Sequence, residues 1–279
     1  MKIHDIEVDI EQLSKSEKKI ANFFCKNIKS IPSMTLKDLA QNIEVSIATI
    51  SRFCKSLGFV GFKDFKNYLK KSFEITPANK MKSILNEIDE DQITPGILNK
   101  SINYLENTSN KLSETAFNKA VQSIIAADNI HLFAPGPSQG VAELLSYRLQ
   151  RFHLDIKKME TSGKWLIESL VNLTADDVVI LFGFFNFSPE SRVVLDYAEK
   201  IGITTILITD LVVSEMIEES DIVLYTERGE LWEFHSMVAP IAIVESLVVG
   251  VAMEDEDKYL DSLNYLQEIR EKYSDYLPN

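Results

Sequence analysis

Residues 35–57, TLKDLAQNIEVSIATISRFCKSL, constrain the fold more than any other stretch of this chain. They read as two short helices joined by a tight turn. Thr35 is placed to cap the first helix, and Asp38 three residues on makes an imperfect capping box. Leu36, Leu39 and Ala40 form its inward stripe. Asn42 to Val45 make the turn, and Ser46 caps the second helix. Ile50, Phe53 and Leu57 recur at helical spacing and point inward. The opposite face carries Ala48, Ser51, Arg52 and Lys55, with no carboxylate. Small residues permit close approach to a DNA groove, and the two cations reach guanine edges or phosphates. With the hydroxyls of the helix starts added, the candidate DNA contacts are Thr35, Ser46, Ala48, Thr49, Ser51, Arg52 and Lys55.

The charge distribution points the same way. The whole chain has a formal net charge of −13, which by itself argues against nucleic acid. Residues 12–75, however, hold twelve Lys and Arg against five Asp and Glu, so this segment is +7 and the rest is −20. A basic module on an acidic body can displace counterions from a phosphate backbone while the body stays off it.

The remainder divides clearly. A helix is expected over 14–29, and another over 63–73 using Phe62, Phe65 and Leu69, ended by Thr76-Pro77. Residues 78–127 are helical and polar, with a break expected at Thr94-Pro95-Gly96. Cys25 and Cys54 have no Cys-x-x-Cys spacing or nearby His, so they read as free core thiols of a reducing cytoplasm. MKIHDIEVDIEQ has no continuous apolar core and does not read as a signal peptide. The apolar stretch 237–253 is shorter than the roughly 20 residues that span a bilayer, and it reads as a buried helix.

From Asn129 short apolar runs alternate with amphipathic helical segments. The runs are 130–134, 156–159, 178–182, 204–209 and 222–225. Five strands with intervening helices imply a parallel, doubly wound α/β sheet. Such sheets bind ligands at the carboxyl ends of their strands, so loops 134–140, 183–190, 209–214 and 226–236 are the ones to examine.

This order of parts resembles the RpiR-type family of bacterial transcription regulators. Its most specific portion is LAQNIEVSIATISRFCKSLGFVGFKDFK, where Val45-Ser46, Thr49, Arg52-Phe53-Cys54, Leu57-Gly58, Gly61-Phe62 and Phe65 stand as in the family. Glu44 stands where a turn glycine is frequent. If its φ is positive, it costs about 1 kcal/mol against Gly. The resemblance implies an all-helical helix-turn-helix domain (1–76), a helical linker with packing helices (77–127), a sugar isomerase (SIS)-like effector-binding and dimerisation domain (128–253), and a C-terminal helix (254–279).

The resemblance also implies a sugar-phosphate or related effector and a homodimer or homotetramer on double-stranded operator DNA. No cofactor, metal, membrane or catalytic residue is implied. In APGPSQGVA, Gly136 and Ser138 match the family's Gly-x-Ser, and Gln139 lies beside them. In GFFNFSPE, Gly183, Ser188 and Glu190 keep the expected chemistry, whereas Phe185 and Asn186 replace a Ser and a Gly. Ser214 and Asp221 keep the SIS-like pattern, and Glu233 and His235 lie in the next loop. With Phe184, Phe185 and Phe187 around the loop, and only Lys164 and Arg228 as cations that loop movement brings in, hexose phosphates are expected to bind in roughly the millimolar range or not at all, and a less charged or more apolar ligand suits the loop better.

Two enzyme readings compete. Gly136-Pro137-Ser138-Gln139-Gly140 is a G-x-S-x-G between a strand and a helix, and Asp210 or Asp221 followed by His235 supplies a Ser, Asp, His order. Only helices precede it, and no segment offers an oxyanion hole. A sugar-phosphate isomerase would need a base such as Glu233 or His235. The basic helical module weighs against both.

Overall fold

The computed structural model describes residues 2–3, 6–8, 13–28, 30–72, 75–184 and 187–277. It divides into two compact units, Met1–Asp91 with Glu230–Phe234, and Gln92–Gly229 with His235–Asn279.

The first unit opens on a short antiparallel pair, β1 (Lys2–Ile3) and β2 (Ile6–Glu7). Helix α1 (Lys15–Asn27) starts at a capping box in which Ser14 and Glu17 exchange hydrogen bonds. Helices α2 (Leu36–Ile43), α3 (Ile47–Ser56), α4 (Phe62–Ser72) and α5 (Pro77–Glu87) follow. Thr76-Pro77 follows the described end of α4. It starts α5, with Thr76 as cap and Pro77 in the first turn, where a missing N–H costs nothing. The core gathers around Phe24, whose ring stacks on Phe65 at 5.1 Å and meets Phe53 edge-on at 5.9 Å. Ile20, Leu39, Ile50 and Leu69 close it, all buried. Burial pushes the Cys54 thiol up to about 12 and raises the half-buried Cys25 as well, and both cysteines are free.

The second unit begins with α6 (Ile93–Lys111) and α7 (Glu114–Ala126). The break expected at Thr94-Pro95-Gly96 is absent. These residues form the first turn of α6, where backbone N–H groups have no intrahelical partner to lose. Then come β3 (Ile130–Phe133), α8 (Ser138–Gln150), β4 (Ile156–Lys158), α9 (Gly163–Leu170), β5 (Val178–Phe182), α10 (Pro189–Ile201), β6 (Thr204–Thr209), α11 (Glu215–Glu218) and β7 (Ile222–Tyr225). The sheet is all-parallel in the order β4-β3-β5-β6-β7. Leu132, Ile180 and Ile206 stand side by side across three strands.

Both faces of the sheet are covered, which is why β5 is apolar and buried along its length. Helices α7 and α8, with α12 (Val238–Glu254) and α13 (Glu256–Lys272), share one core with Leu132, Ile180, Ile208 and Leu224. Helices α9, α10 and α11 share another with Phe133, Val179 and Leu207. Helix α12 is buried on one side only. Ala239, Ile243, Val244 and Leu247 pack inward, while Val249 and Met253 are 57% and 78% exposed. The expected buried helix is therefore half-buried: α6, α7, α8 and α13 pack on it, and Val249 and Met253 stay exposed.

Candidate functional site

In the first unit, α2 and α3 form the two-helix pattern. Thr35 caps α2: its Oγ1 accepts from Asp38 N at 3.2 Å and donates to Asp38 Oδ2 at 2.7 Å. The backbone and side-chain bonds from Thr35 hold the Asp38 carboxyl below its usual range. The turn residue Glu44 has φ 59 and ψ 47, the left-handed conformation, so the strain anticipated for a non-glycine residue is present. Ser46 caps α3, receiving Thr49 N at 3.1 Å, and its hydroxyl meets Thr49 Oγ1 at 2.7 Å. Ile50, Phe53 and Cys54 are buried beneath. Ser46, Ala48, Arg52 and Lys55 are exposed, and Thr49 and Ser51 are half-buried beside them. Ile47, at 49% exposure, shares this surface and was not among the expected contacts.

In the second unit, the connections leave β3 and β5 toward opposite faces of the sheet. The carboxyl ends of these neighbouring strands form the switch point where α/β sheets hold ligands. Gly136 follows β3 with φ 61, a conformation glycine adopts without strain. Pro137 precedes α8 and gives it no side-chain cap, and Gln139 N donates to the Gly136 carbonyl at 3.1 Å. Ser138 is 3% exposed, and its hydroxyl makes no hydrogen bond among the described residues. Gln139 is exposed.

Across the switch point, Gly183 is buried. An added Cβ would lie 2.3 Å from Met216 Sδ, so the absence of a side chain here makes room for the core. Phe184 leans on the α8 and α12 core, and Phe187 on the α9 and α10 core. The Phe185 and Asn186 replacements lie outside the described residues. Ser188 caps α10, receiving Ser191 N at 3.1 Å, with Glu190 half-buried in the first turn. Glu233 belongs with the first unit and caps its own segment, accepting from Glu230 N at 3.3 Å, whereas His235 lies half-buried in the second. Gly136, Ser138 and Gln139 thus follow β3, and Ser188 and Glu190 follow β5, at the carboxyl ends of two neighbouring strands.

Further along the same edge lies a cluster the expected site omitted. Arg228 is buried, with Nη1 3.5 Å from Asp210 Oδ2 and its guanidinium 3.9 Å from the centre of the Phe184 ring. Burial lowers its pKa and the Asp210 charge opposes that. It was expected to arrive by loop movement with Lys164, but it already sits at the sheet edge. Beside it, Tyr225 donates to Glu227 Oε2 at 2.8 Å, and Lys111 donates to both groups at 3.0 and 3.2 Å. Burial pushes the Glu227 carboxyl up, but these bonds outweigh it and hold it below its usual range. Glu227 N donates to Thr108 Oγ1 at 2.8 Å, fixing the β7–α12 connection on α6.

Residues 2–75 match the family model for the helix-turn-helix domain of the rpiR family, and residues 123–258 match the SIS domain. An uncharacterised helix-turn-helix transcriptional regulator of Providencia stuartii is 30% identical over 75% of this chain and 74% of its own length. The chain belongs to the RpiR family of transcriptional regulators. The sugar isomerase domain of an RpiR transcription factor from Sphaerobacter thermophilus superposes with a TM-score of 0.59 at 25% identity, over 63% of this chain and 99% of that one. The NanR protein of Vibrio vulnificus, solved with ManNAc-6P, superposes with a TM-score of 0.61 at 22% identity over 97% of both chains.

Of the two acids the G-x-S-x-G reading offered in this RpiR-family chain, Asp210 lies 3.5 Å from the Arg228 guanidinium. Asp221 accepts from Thr205 N at 2.8 Å at the amino edge of the sheet, the edge opposite Ser138. It is a tether between strands and supplies no acid for a triad. Ser214 caps α11, donating nothing to the crevice and accepting Met216 N at 3.2 Å.

Proposed function

We propose that this RpiR-family regulator reads operator DNA with α3 and senses a sugar phosphate or related metabolite at the carboxyl ends of β3, β5, β6 and β7. The observation that carries the first half is the outer face of α3. Ser46, Ala48, Arg52 and Lys55 are exposed there with no carboxylate among them. Two recognition helices on a two-fold operator require at least a homodimer, and a homotetramer satisfies the same symmetry. The division proposed is 1–76 for DNA, 77–127 for linking helices, 128–253 for effector binding and dimerisation, and 254–279 for the terminal helix, in a cytoplasmic protein.

The second half rests on the start of α8, which no side chain caps, and on the Ser138 hydroxyl beside the switch point. NanR of the same fold is described with ManNAc-6P, which supports a phosphosugar class. An effector acts only through different affinities for two arrangements of the DNA-binding heads. The test selects binding sites from random duplexes, then measures operator affinity by anisotropy with and without a sugar-phosphate panel. Sequence-selective binding that a panel member shifts supports the reading. Selection of no sequence removes the first half, and an unshifted affinity removes the second.

A further inference from the structure

The carboxyl ends of β5, β6 and β7 hold a charge that a Ser- and amide-lined phosphate loop does not need. Arg228 is 6% exposed. Its Nε donates to the Ser236 carbonyl at 3.3 Å, and its Nη1 faces Asp210 Oδ2 at 3.5 Å. Both distances are at the long end of the hydrogen-bond range. A guanidinium carries five donors in one plane, so these two contacts leave it undersupplied for a buried charge. Phe184 covers one face of that plane. The donors are open at its edge, where arginine takes an oxyanion fork to fork. Two residues earlier, Thr226 is fully buried, and its Oγ1 has no hydrogen-bond partner among the described residues. Thr226 N donates to Thr209 O at 2.8 Å, so the ladder of β7 continues to this residue, directly beside the end of β6 that carries Asp210.

We propose that Arg228 is the receptor for an oxyanion of the effector, a phosphate or carboxylate on a sugar-sized metabolite. Phe184 is its platform, and Asp210 is the internal counter-ion that the ligand's oxyanion replaces. This rests on the reading of this sheet edge as the effector site. Asp210 competes for the same donors, so it sets the affinity: an anion must outbid a carboxylate already in place. Neutral sugars gain nothing from Arg228.

The test is calorimetric titration of the full chain with glucose 6-phosphate, gluconate and neutral glucose. The wild type, Arg228→Gln, Asp210→Asn and the double variant are compared. One of the acidic probes binds the wild type, and which one binds says whether the oxyanion is phosphate or carboxylate. Arg228→Gln weakens that binding by about tenfold or more, and Asp210→Asn tightens it several-fold because the competing carboxylate is gone. A merely structural pair would not give effects of opposite sign. The double variant removes both charges, so it stays folded if Arg228→Gln alone leaves a destabilising buried carboxylate, and it binds as weakly as Arg228→Gln. Unchanged binding in the double variant, or weakened binding in Asp210→Asn, overturns the role of Arg228 and leaves the effector reading standing. Failure of every probe on the wild type overturns both.

Discussion

Asp221 and Thr205 clamp the amino edge of the sheet. Asp221 Oδ2 accepts from Thr205 N at 2.8 Å and from Thr205 Oγ1 at 2.7 Å, and Asp221 N donates back to Thr205 Oγ1 at 3.0 Å. Three bonds between one residue pair fix where β7 joins β6. Asp221→Ala leaves the buried Thr205 amide and hydroxyl short of an acceptor, a loss of about 1 to 3 kcal/mol. Calorimetry should show the transition of the second unit moving down while operator affinity stays unchanged. Lost operator affinity with an unmoved transition would contradict a structural role.

Glu44 gives a prediction of opposite sign. It is left-handed at φ 59, and its ion pair with Lys19 at 3.8 Å is exposed and adds little. Glu44→Gly relieves about 1 to 2 kcal/mol of strain, partly offset by the greater freedom of unfolded glycine. The net expectation is a stabilisation of roughly 0.5 to 1 kcal/mol, seen as a higher denaturant midpoint for the first unit. A lower midpoint would mean that the turn tolerates Glu44 without strain.

These two positions show what the sequence could reveal. The strain at Glu44 was legible because helix caps and turns are local, and the cap at Thr35 was legible for the same reason. The five strands were legible because a sheet covered on both faces needs unbroken apolar runs. Arg228 was legible only as a cation that loop movement brings in, since Phe184 and Asp210, remote in sequence, are placed beside it by the fold alone. Gly183 looked like a ligand loop glycine, and only the fold brings Met216 against it. Pro95 and Gly96 looked like a break because their tolerance depends on falling in a first turn. The two-residue strands β1 and β2 are too short to show a period.

The face of α3 separates base reading from backbone binding. Arg52→Ala should cost about 1 to 3 kcal/mol of operator affinity and relax preference at one base position. Lys55→Ala should weaken binding evenly across sequences and reduce the salt slope by about one unit. Ile47 is exposed at the first turn of α3, a position suited to a thymine methyl, so Ile47→Ser should lower selectivity at an A·T pair. Anisotropy on the selected operator and on point-mutant duplexes decides each case. Unchanged binding by Arg52→Ala and Lys55→Ala together would remove α3 as the reading helix.

His131 sets a pH limit. It is 2% exposed on β3, with Nε2 3.4 Å from Asp177 Oδ2. Burial is the strongest influence and holds its pKa below the ordinary 6.5, while the Asp177 charge pulls the other way. The unfolded chain therefore takes up a proton at a pH where the folded chain does not. Stability is full above 6.5 and is lost as pH falls below it. Burial alone would raise Asp177, but its bonds from Asn129 and Thr174 bring it below 3.8, so its share is lost only at lower pH. Denaturant midpoints of the second unit should fall between about pH 7 and pH 5, and His131→Gln should flatten that fall. An equal slope in the variant would place the titrating group elsewhere.

Ser138 decides between regulator and hydrolase. A serine nucleophile needs a hydrogen-bonded base held by a third group. Ser138 Oγ has no such bond among the described residues, and Asp221 is committed to Thr205 at the opposite edge of the sheet. Without a base the hydroxyl stays protonated and weak. A fluorophosphonate should leave Ser138 unlabelled by intact-mass analysis, activated esters should not turn over, and common sugar phosphates should not isomerise. Ser138→Ala should instead act on effector affinity, since its hydroxyl sits at the start of α8, which no side chain caps. A stoichiometric adduct at Ser138 would revive the hydrolase reading, because no hydroxyl in a merely binding role reacts at that rate.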